Sequence, residues 1–413
     1  MFAEAPAEAP QAPEAPVKAL LSVRDLRVTV SAGRAEAVRG VSFEVAPGEA
    51  VGLVGESGSG KTLTCRAVLG ALAPGCAVSS GEIEFDGHDL NRANRREWLA
   101  IRGGRIGAVF QDPASYLNPS LPVGDQLSEV LRVKLGLGRR EARERAVELL
   151  TAMGLNDPAR VYGQYPHELS GGMLQRVLIA VAVSCDPELL IADEATTALD
   201  VTVQAEVLEL LARLRAERGL SIVCVSHDLA VIAALCDRIV VFYGGEIVES
   251  GPTEEVLANP RHPYTEALLR VASVGDWGRR TLEVIPGQLP PAGADLPGCR
   301  FAARCALAVD ACSSAPIPLS VHPDGREVRC LRAGTAGGIR PEDASGGARP
   351  EDAFGGARPD GALLTDVPST GAAGTSSGVV GTSSGTSGTF SGAAGTAGRD
   401  AVAVGAEARR AVR

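Results

Sequence analysis

The eight residues Gly55, Glu56, Ser57, Gly58, Ser59, Gly60, Lys61 and Thr62 fit the pattern G-x-x-x-x-G-K-[ST]. The pattern constrains the fold because it works in one setting, a loop between a strand and a helix. Both neighbours have the required character. The run "EAVGLV" ahead of it reads as a strand buried on both faces of a parallel sheet. The run "TLTCRAVLGALA" behind it reads as a helix. In that setting Gly58 and Gly60 let backbone N–H groups close around phosphate oxygens, and the helix N-terminus favours negative charge. Lys61 would reach β- and γ-phosphates as a compact point charge, and Thr62 would offer its hydroxyl to Mg²⁺. Only three lysines occur, Lys18, Lys61 and Lys134, while arginine supplies nearly all other positive charge. A lysine kept in this loop points to a role arginine does not fill.

A second apolar run, "ELLIAD", ends on Asp193 and Glu194 within "PELLIADEATTALD". Asp193 suits the Mg²⁺ shell, directly or through water, and Glu194 is placed to polarise an attacking water. An isolated Asp-Glu at a strand end would carry no such meaning. The phosphate loop earlier in the chain supplies it.

Several function classes recede. The formal net charge of −10 argues against a nucleic-acid binder, which usually shows a basic surplus. The N-terminus "MFAEAPAEAPQAPEAP" has neither a basic start nor an apolar stretch, and no apolar run approaches the roughly 18 residues of a membrane span. Work at a membrane is therefore expected to go through partners.

Composition divides the chain. Residues 1–18 read as a disordered Ala/Pro/Glu leader, and 333–413, with tandem "GGARPED" units and Gly/Ser/Thr/Ala tracts, as a disordered tail. Between them, Leu26, Val28, Val30 and Val41, Phe43, Val45 alternate with polar residues as half-buried strands do. Arg139 to Met153 reads as an amphipathic helix, and "RIVVFYGGEIVESG" as two strands about the Gly244-Gly245 turn. The core is expected to end near Val271, followed by the Pro-rich "IPGQLPPAGADLPG".

Between the loop and the carboxylates lies "LSGGMLQRV", with "FQDP" before it and "TTALD" and "VSHD" after. In these motifs and their order the chain closely resembles the ATP-binding-cassette ATPases over residues 20–332. The resemblance implies an α/β P-loop cassette: a RecA-like parallel-sheet core, an antiparallel β subdomain and a helical signature subdomain at about 112–180, together spanning 20–271. It implies ATP-binding residues 55–62 and a composite site in a closed dimer, where Ser170, Gly171 and Gly172 touch the ATP held by the opposite ATPase. Ser170 would also cap its helix. It implies Gln111 as the Q-loop sensor of Mg²⁺ and water, Asp200 as the end of the D-loop, and His227 as the switch histidine contacting the γ-phosphate. Met173 stands where the signature usually has Gln, and Val30 stands near where the family often stacks adenine on an aromatic side chain.

"NPRHPYTEALL", "IPG" and "GCRFAARC" resemble the ATP-binding subunits of bacterial dipeptide, oligopeptide and nickel importers. That branch implies uptake of peptides, with nickel or another solute as the alternative. It implies a second, paralogous ATPase, two membrane permeases, an extracytoplasmic solute-binding protein, and a place at the cytoplasmic face of the membrane. A soluble cassette acting on DNA or ribosomes, or an exporter ATPase, fits the acidic balance and this C-terminal segment poorly.

The segment at 272–332 carries Cys299, Cys305, Cys312 and Cys330, spaced C-x₅-C-x₆-C-x₁₇-C without the paired C-x₂-C knuckles of structural zinc. Four thiolates suffice for a [4Fe–4S] cluster. Zn²⁺ or simple thiols are the alternatives, and the importer resemblance favours iron–sulfur. Cys65, Cys76, Cys185, Cys224 and Cys236 read as small buried hydrophobes.

Overall fold

The computed structural model describes residues 18–31, 33–195, 200–272 and 284–333. The readings of the leader and the tail fall, but for their edge residues, outside the described residues.

The strands are β1 (Leu21–Val30), β2 (Ala35–Val45), β3 (Ala50–Val54), β4 (Ala77–Phe85), β5 (His88–Asp89) and β6 (Ile106–Val109). After them come β7 (Leu189–Asp193), β8 (Ser221–Val225), β9 (Arg238–Tyr243), β10 (Glu246–Pro252), β11 (Ser320–Val321) and β12 (Glu327–Val328). They form two sheets, a four-stranded antiparallel one ordered β2-β1-β4-β5 and an eight-stranded one ordered β11-β12-β10-β9-β3-β8-β7-β6. In the larger sheet β9, β3, β8, β7 and β6 run parallel, and β10, β12 and β11 extend one edge antiparallel.

The apolar runs of β3, β7 and β8 are buried along their whole length, as strands covered on both faces require. The two faces serve two cores by simple alternation. Leu189, Ile191, Val223 and Val225 join the core shared with β1 and β2, while Leu190, Ala192, Ile222 and Cys224 join the core on the other face.

The helix after the phosphate loop covers Lys61–Val68, shorter than the apolar pattern suggests. Gly70 turns left-handed at φ 57°, and a Cβ there would stand 2.6 Å from the Trp98 ring. Arg102 Nε and Nη2 donate to the carbonyls of Leu69 and Gly70, each at 2.6 Å, closing the helix end with a cation where the dipole favours one.

The helix expected at 139–153 is present as Arg139–Ala152. It buries Ala142, Ala146, Leu149 and Leu150 in the same core as Leu127 and Leu131 of the helix Val123–Leu135. The two predicted strands about Gly244-Gly245 are β9 and β10. Of the five scattered cysteines, Cys65, Cys224 and Cys236 are buried as expected, but Cys76 and Cys185 are only half-buried. Cys76 lies in the turn leading into β4 and Cys185 just beyond the helix Gly171–Ala182, both outside regular elements. Among the described residues no helix is long and apolar enough to cross a membrane.

Candidate nucleotide-binding site

The loop 55–62 joins β3 to the helix Lys61–Val68, as the strand–loop–helix reading requires. Two of its glycines cannot be replaced without movement. Gly55 has φ 142°, and a Cβ there would lie 2.2 Å from the Phe242 carbonyl oxygen. Gly60 has φ 109°, with the Ala37 carbonyl oxygen 3.2 Å from its Cβ position. Ser57 and Gly58 stand exposed at the loop tip, while Ser59 and Gly60 are buried at its base. Lys61 is 5% exposed. Its Nζ donates to the Gly55 carbonyl at 2.7 Å, the Glu56 carbonyl at 2.9 Å and Ser59 Oγ at 3.3 Å. Burial lowers the ammonium pKa, against the raising influence of Glu194 and Asp193. The cation thus sits in the mouth of the loop, on groups that an incoming anion can replace.

Three parallel strands end beside it. Asp193 closes β7, and its Oδ1 accepts from Thr62 Oγ1 at 3.1 Å. Burial pushes the Asp193 carboxyl upward, with the Thr62 hydrogen bond opposing. Thr62 and Asp193, read separately from the sequence as Mg²⁺ residues, are therefore side by side. Glu194 follows with a left-handed backbone, φ 53°, uncommon for a non-glycine residue. Its N–H donates to the Val225 carbonyl at 2.9 Å, fixing it against the end of β8. His227 Nδ1 lies 3.7 Å from Glu194 Oε1, with the imidazole 62% exposed. The pair has the composition of a water-polarising carboxylate with a neighbouring imidazole. Gln111 lies just past β6, which pairs with β7 so that Val109 is opposite Ala192. Gln111 is exposed, two residues past that strand end.

Other expected residues lie apart. Ser170 caps the helix Gly171–Ala182, its Oγ accepting from the Met173 N–H at 3.3 Å. Ser170 and Gly172 line a groove of about 210 Å³ with Met173, Arg176, Val203 and Glu206. A Cβ on Gly172 would meet Val203 Cγ1 at 2.5 Å, so its glycine also serves helix packing. Asp200 caps the helix Val201–Arg218, accepting from the Val203 N–H at 2.9 Å. Val30 ends β1 half-buried, opposite Ala35.

The C-terminal segment reaches this site, which no spacing in the sequence announces. Glu56 donates its N–H to Tyr264 Oη at 2.8 Å and accepts from Arg304 Nη1 at 3.0 Å. The available signal was an acid inside an anion-binding loop, which calls for a counter-ion.

The four cysteines Cys299, Cys305, Cys312 and Cys330 line one cavity of about 10 Å³, together with His262 and Phe301. Burial, followed by the neighbouring thiols, drives Cys299 up to about 11, and burial also raises Cys305 and Cys330. His262 Nδ1 accepts from the Tyr264 N–H at 3.0 Å, so its proton is on Nε2, which is buried and without a hydrogen-bond partner. Among the described residues, however, no group of three or more His, Cys, Asp or Glu side chains is arranged to hold a metal ion. The expected ligand set is gathered at one cavity without being disposed around a single ion, as bound zinc would require.

A loop of phosphate-binding geometry between a buried parallel strand and a helix, with a hydroxyl–carboxylate pair at its edge, defines a P-loop nucleoside triphosphatase. The family pattern described as ABC transporter matches residues 38–197, and that described as oligopeptide/dipeptide transporter, C-terminal region, matches residues 248–312. A putative peptide import ATP-binding protein of Brucella melitensis is 48% identical over 329 residues, 76% of this chain and 97% of that one. The oligopeptide transport ATP-binding protein AppD of Bacillus subtilis is 44% identical over 296 residues, 71% of this chain and 90% of its own. Among solved structures, the ATP-binding cassette MJ0796, dimeric in a post-hydrolysis state with ADP and Pi, is 30% identical. It aligns with TM-score 0.51 over 56% of this chain and 98% of its own. The cbiO1 protein of Clostridium perfringens, part of an ABC transporter complex, is 30% identical with TM-score 0.52, over 58% and 91%. The chain belongs to the ABC transporter ATPases of the oligopeptide/dipeptide import type.

Proposed function

We propose that this chain is the ATP-hydrolysing subunit that energises uptake of di- or oligopeptides through an ABC importer. The observation that carries the reading is the meeting of Thr62 and Asp193 at 3.1 Å beside the buried Lys61, in a chain whose relatives are named for peptide import. Residues 55–62 hold the triphosphate, with Val30 against the base. Thr62, Asp193 and Gln111 serve Mg²⁺, Glu194 polarises the attacking water, and His227 steadies it against the γ-phosphate. Ser170, Gly171, Gly172 and Asp200 act on the ATP of a second ATPase, a paralogue, when the two cassettes close. Two permeases and a solute-binding protein complete the assembly, and the chain works as a peripheral subunit on the cytoplasmic face of the membrane. The described residues read as a cassette at 20–271, helical at about 112–180, followed by a cysteine-bearing region at 272–332.

Cys299, Cys305, Cys312 and Cys330 hold a [4Fe–4S] cluster in this proposal, supported by their common cavity and by the unpartnered Nε2–H of His262 lining it. When bound, such a group supplies a crosslink to a segment poor in secondary structure. Iron content settles that part: protein purified without oxygen should carry about four irons per chain, and a colourless, iron-free preparation of a folded chain would remove it. The nucleotide assignment is tested by Lys61→Ala. Titration with Mg·ATP should show binding weakened by a factor of at least about ten, the loss of one charge-assisted phosphate contact. Full retained affinity would refute it.

A further inference from the structure

Glu56 carries the same sign of charge as the ligand its loop is built to hold. The fold supplies a counter-ion from 248 residues further along the chain. Arg304 Nη1 donates to Glu56 Oε2 at 3.0 Å and to Tyr243 Oη at 3.2 Å. The Arg304 side chain is 6% exposed and that of Glu56 27%. The guanidinium cannot drift, because Nε donates to the Pro286 carbonyl at 2.7 Å and Nη2 to the Ile285 carbonyl at 3.0 Å. The Glu56 backbone is held separately, its N–H donating to Tyr264 Oη at 2.8 Å. Its carbonyl, in turn, accepts from Lys61 Nζ at 2.9 Å. Tyr264 is fully buried, with its ring 4.6 Å from that of Tyr243 and 5.4 Å from that of Phe301. Leu289 Cδ2 reaches the loop tip, 3.6 Å from the point where a Cβ on Gly58 would stand.

We propose that Arg304 and Tyr264 are positioning residues of the nucleotide site. Arg304 cancels the Glu56 charge beside the phosphates, and Tyr264 fixes the residue whose carbonyl orients the Lys61 ammonium. Without Arg304 a carboxylate left inside the loop repels the triphosphate; without Tyr264 a loop N–H loses its partner and the loop loses its register. The cysteine-bearing segment is then part of the ATP site, since Arg304 adjoins Cys305 and Phe301 packs against both tyrosines. Order in that segment sets how well the loop grips ATP.

The inference rests on the nucleotide reading above, and its test separates the two. The full-length chain is titrated with Mg·ATP at low and high salt, as wild type and as Arg304→Gln, Arg304→Lys, Tyr264→Phe and the double variant Arg304→Gln with Glu56→Gln. Arg304→Gln should weaken binding about tenfold at low salt and less at high salt, because part of the repulsion is screened. Arg304→Lys keeps the charge but loses the two carbonyl anchors, and should weaken binding less than Arg304→Gln does. The double variant should recover most of the lost affinity, which simple damage to the fold would not allow. Tyr264→Phe, which removes one hydroxyl and leaves the ring packing, should raise Kd a few-fold and guards against misfolding of the arginine variants. If the wild type binds ATP and both Arg304→Gln and Tyr264→Phe bind with unchanged Kd, the inference is overturned. The same holds if neutralising Glu56 rescues nothing. A folded wild type that binds no ATP overturns the nucleotide reading itself.

Discussion

Glu194 pairs an unusual backbone with an exposed imidazole neighbour. Its φ of 53° is held by the hydrogen bond to Val225, so the carboxylate is presented at the strand end rather than along it. Replacing it by Gln keeps the shape and removes the proposed base. Glu194→Gln should bind Mg·ATP like the wild type while turnover falls roughly 10²- to 10⁴-fold, the range of a lost general base. A phosphate-release assay with unchanged turnover would take Glu194 out of that role. At Gly55 both conformation and space forbid a side chain. Gly55→Ala should lower stability by about 1–3 kcal/mol and abolish tight nucleotide binding, read by denaturant unfolding and by titration. These residues were legible in the sequence because each lies in a local motif: Lys61 and Thr62 within eight residues, and Asp193 and Glu194 ending one apolar run. Arg304 was not, since a contact made by a chain that returns after 248 residues leaves no spacing to read.

At the scale of elements, hydrophobic patterning recovered the buried strands and the helix Arg139–Ala152, where burial follows one period over many residues. It overran the helix at Lys61–Val68, because "LGALA" continues the apolar character while Gly70 and Arg102 stop the backbone. It did not anticipate β12, only two residues long, pairing with β10 so that Glu249 faces Val328. Glu249 explains how this edge is held. It is fully buried, its Oε1 accepting from the Arg261 N–H at 2.8 Å and its Oε2 from the His262 N–H at 2.9 Å. Arg326 Nη1 stands 3.8 Å away as the counter-charge and also donates to the Asn259 carbonyl at 2.7 Å. Glu249→Ala strands two backbone donors, while Arg326 keeps its ion pair with Asp324 at 2.8 Å, and should destabilise by about 2–4 kcal/mol. Urea unfolding that shows a change below about 0.5 kcal/mol would mean the edge is held by other contacts.

At the scale of the molecule, the two faces of one parallel sheet are given to two cores, one shared with the antiparallel sheet and one with the helices. The strand ends between them carry the phosphate loop and the carboxylates, while Ser170 and Gly172 line a separate groove. That separation fits the proposal of a site completed by a second cassette, and among the described residues no helix is long and apolar enough to cross a membrane. The central claim is that ATP held in this loop drives peptide uptake. The direct measurement is dipeptide accumulation in proteoliposomes containing the whole importer, with and without ATP inside, using wild type and the Lys61→Ala chain. The account predicts uptake only with ATP and the wild-type chain. Equal uptake without nucleotide, or with Lys61→Ala, would contradict it.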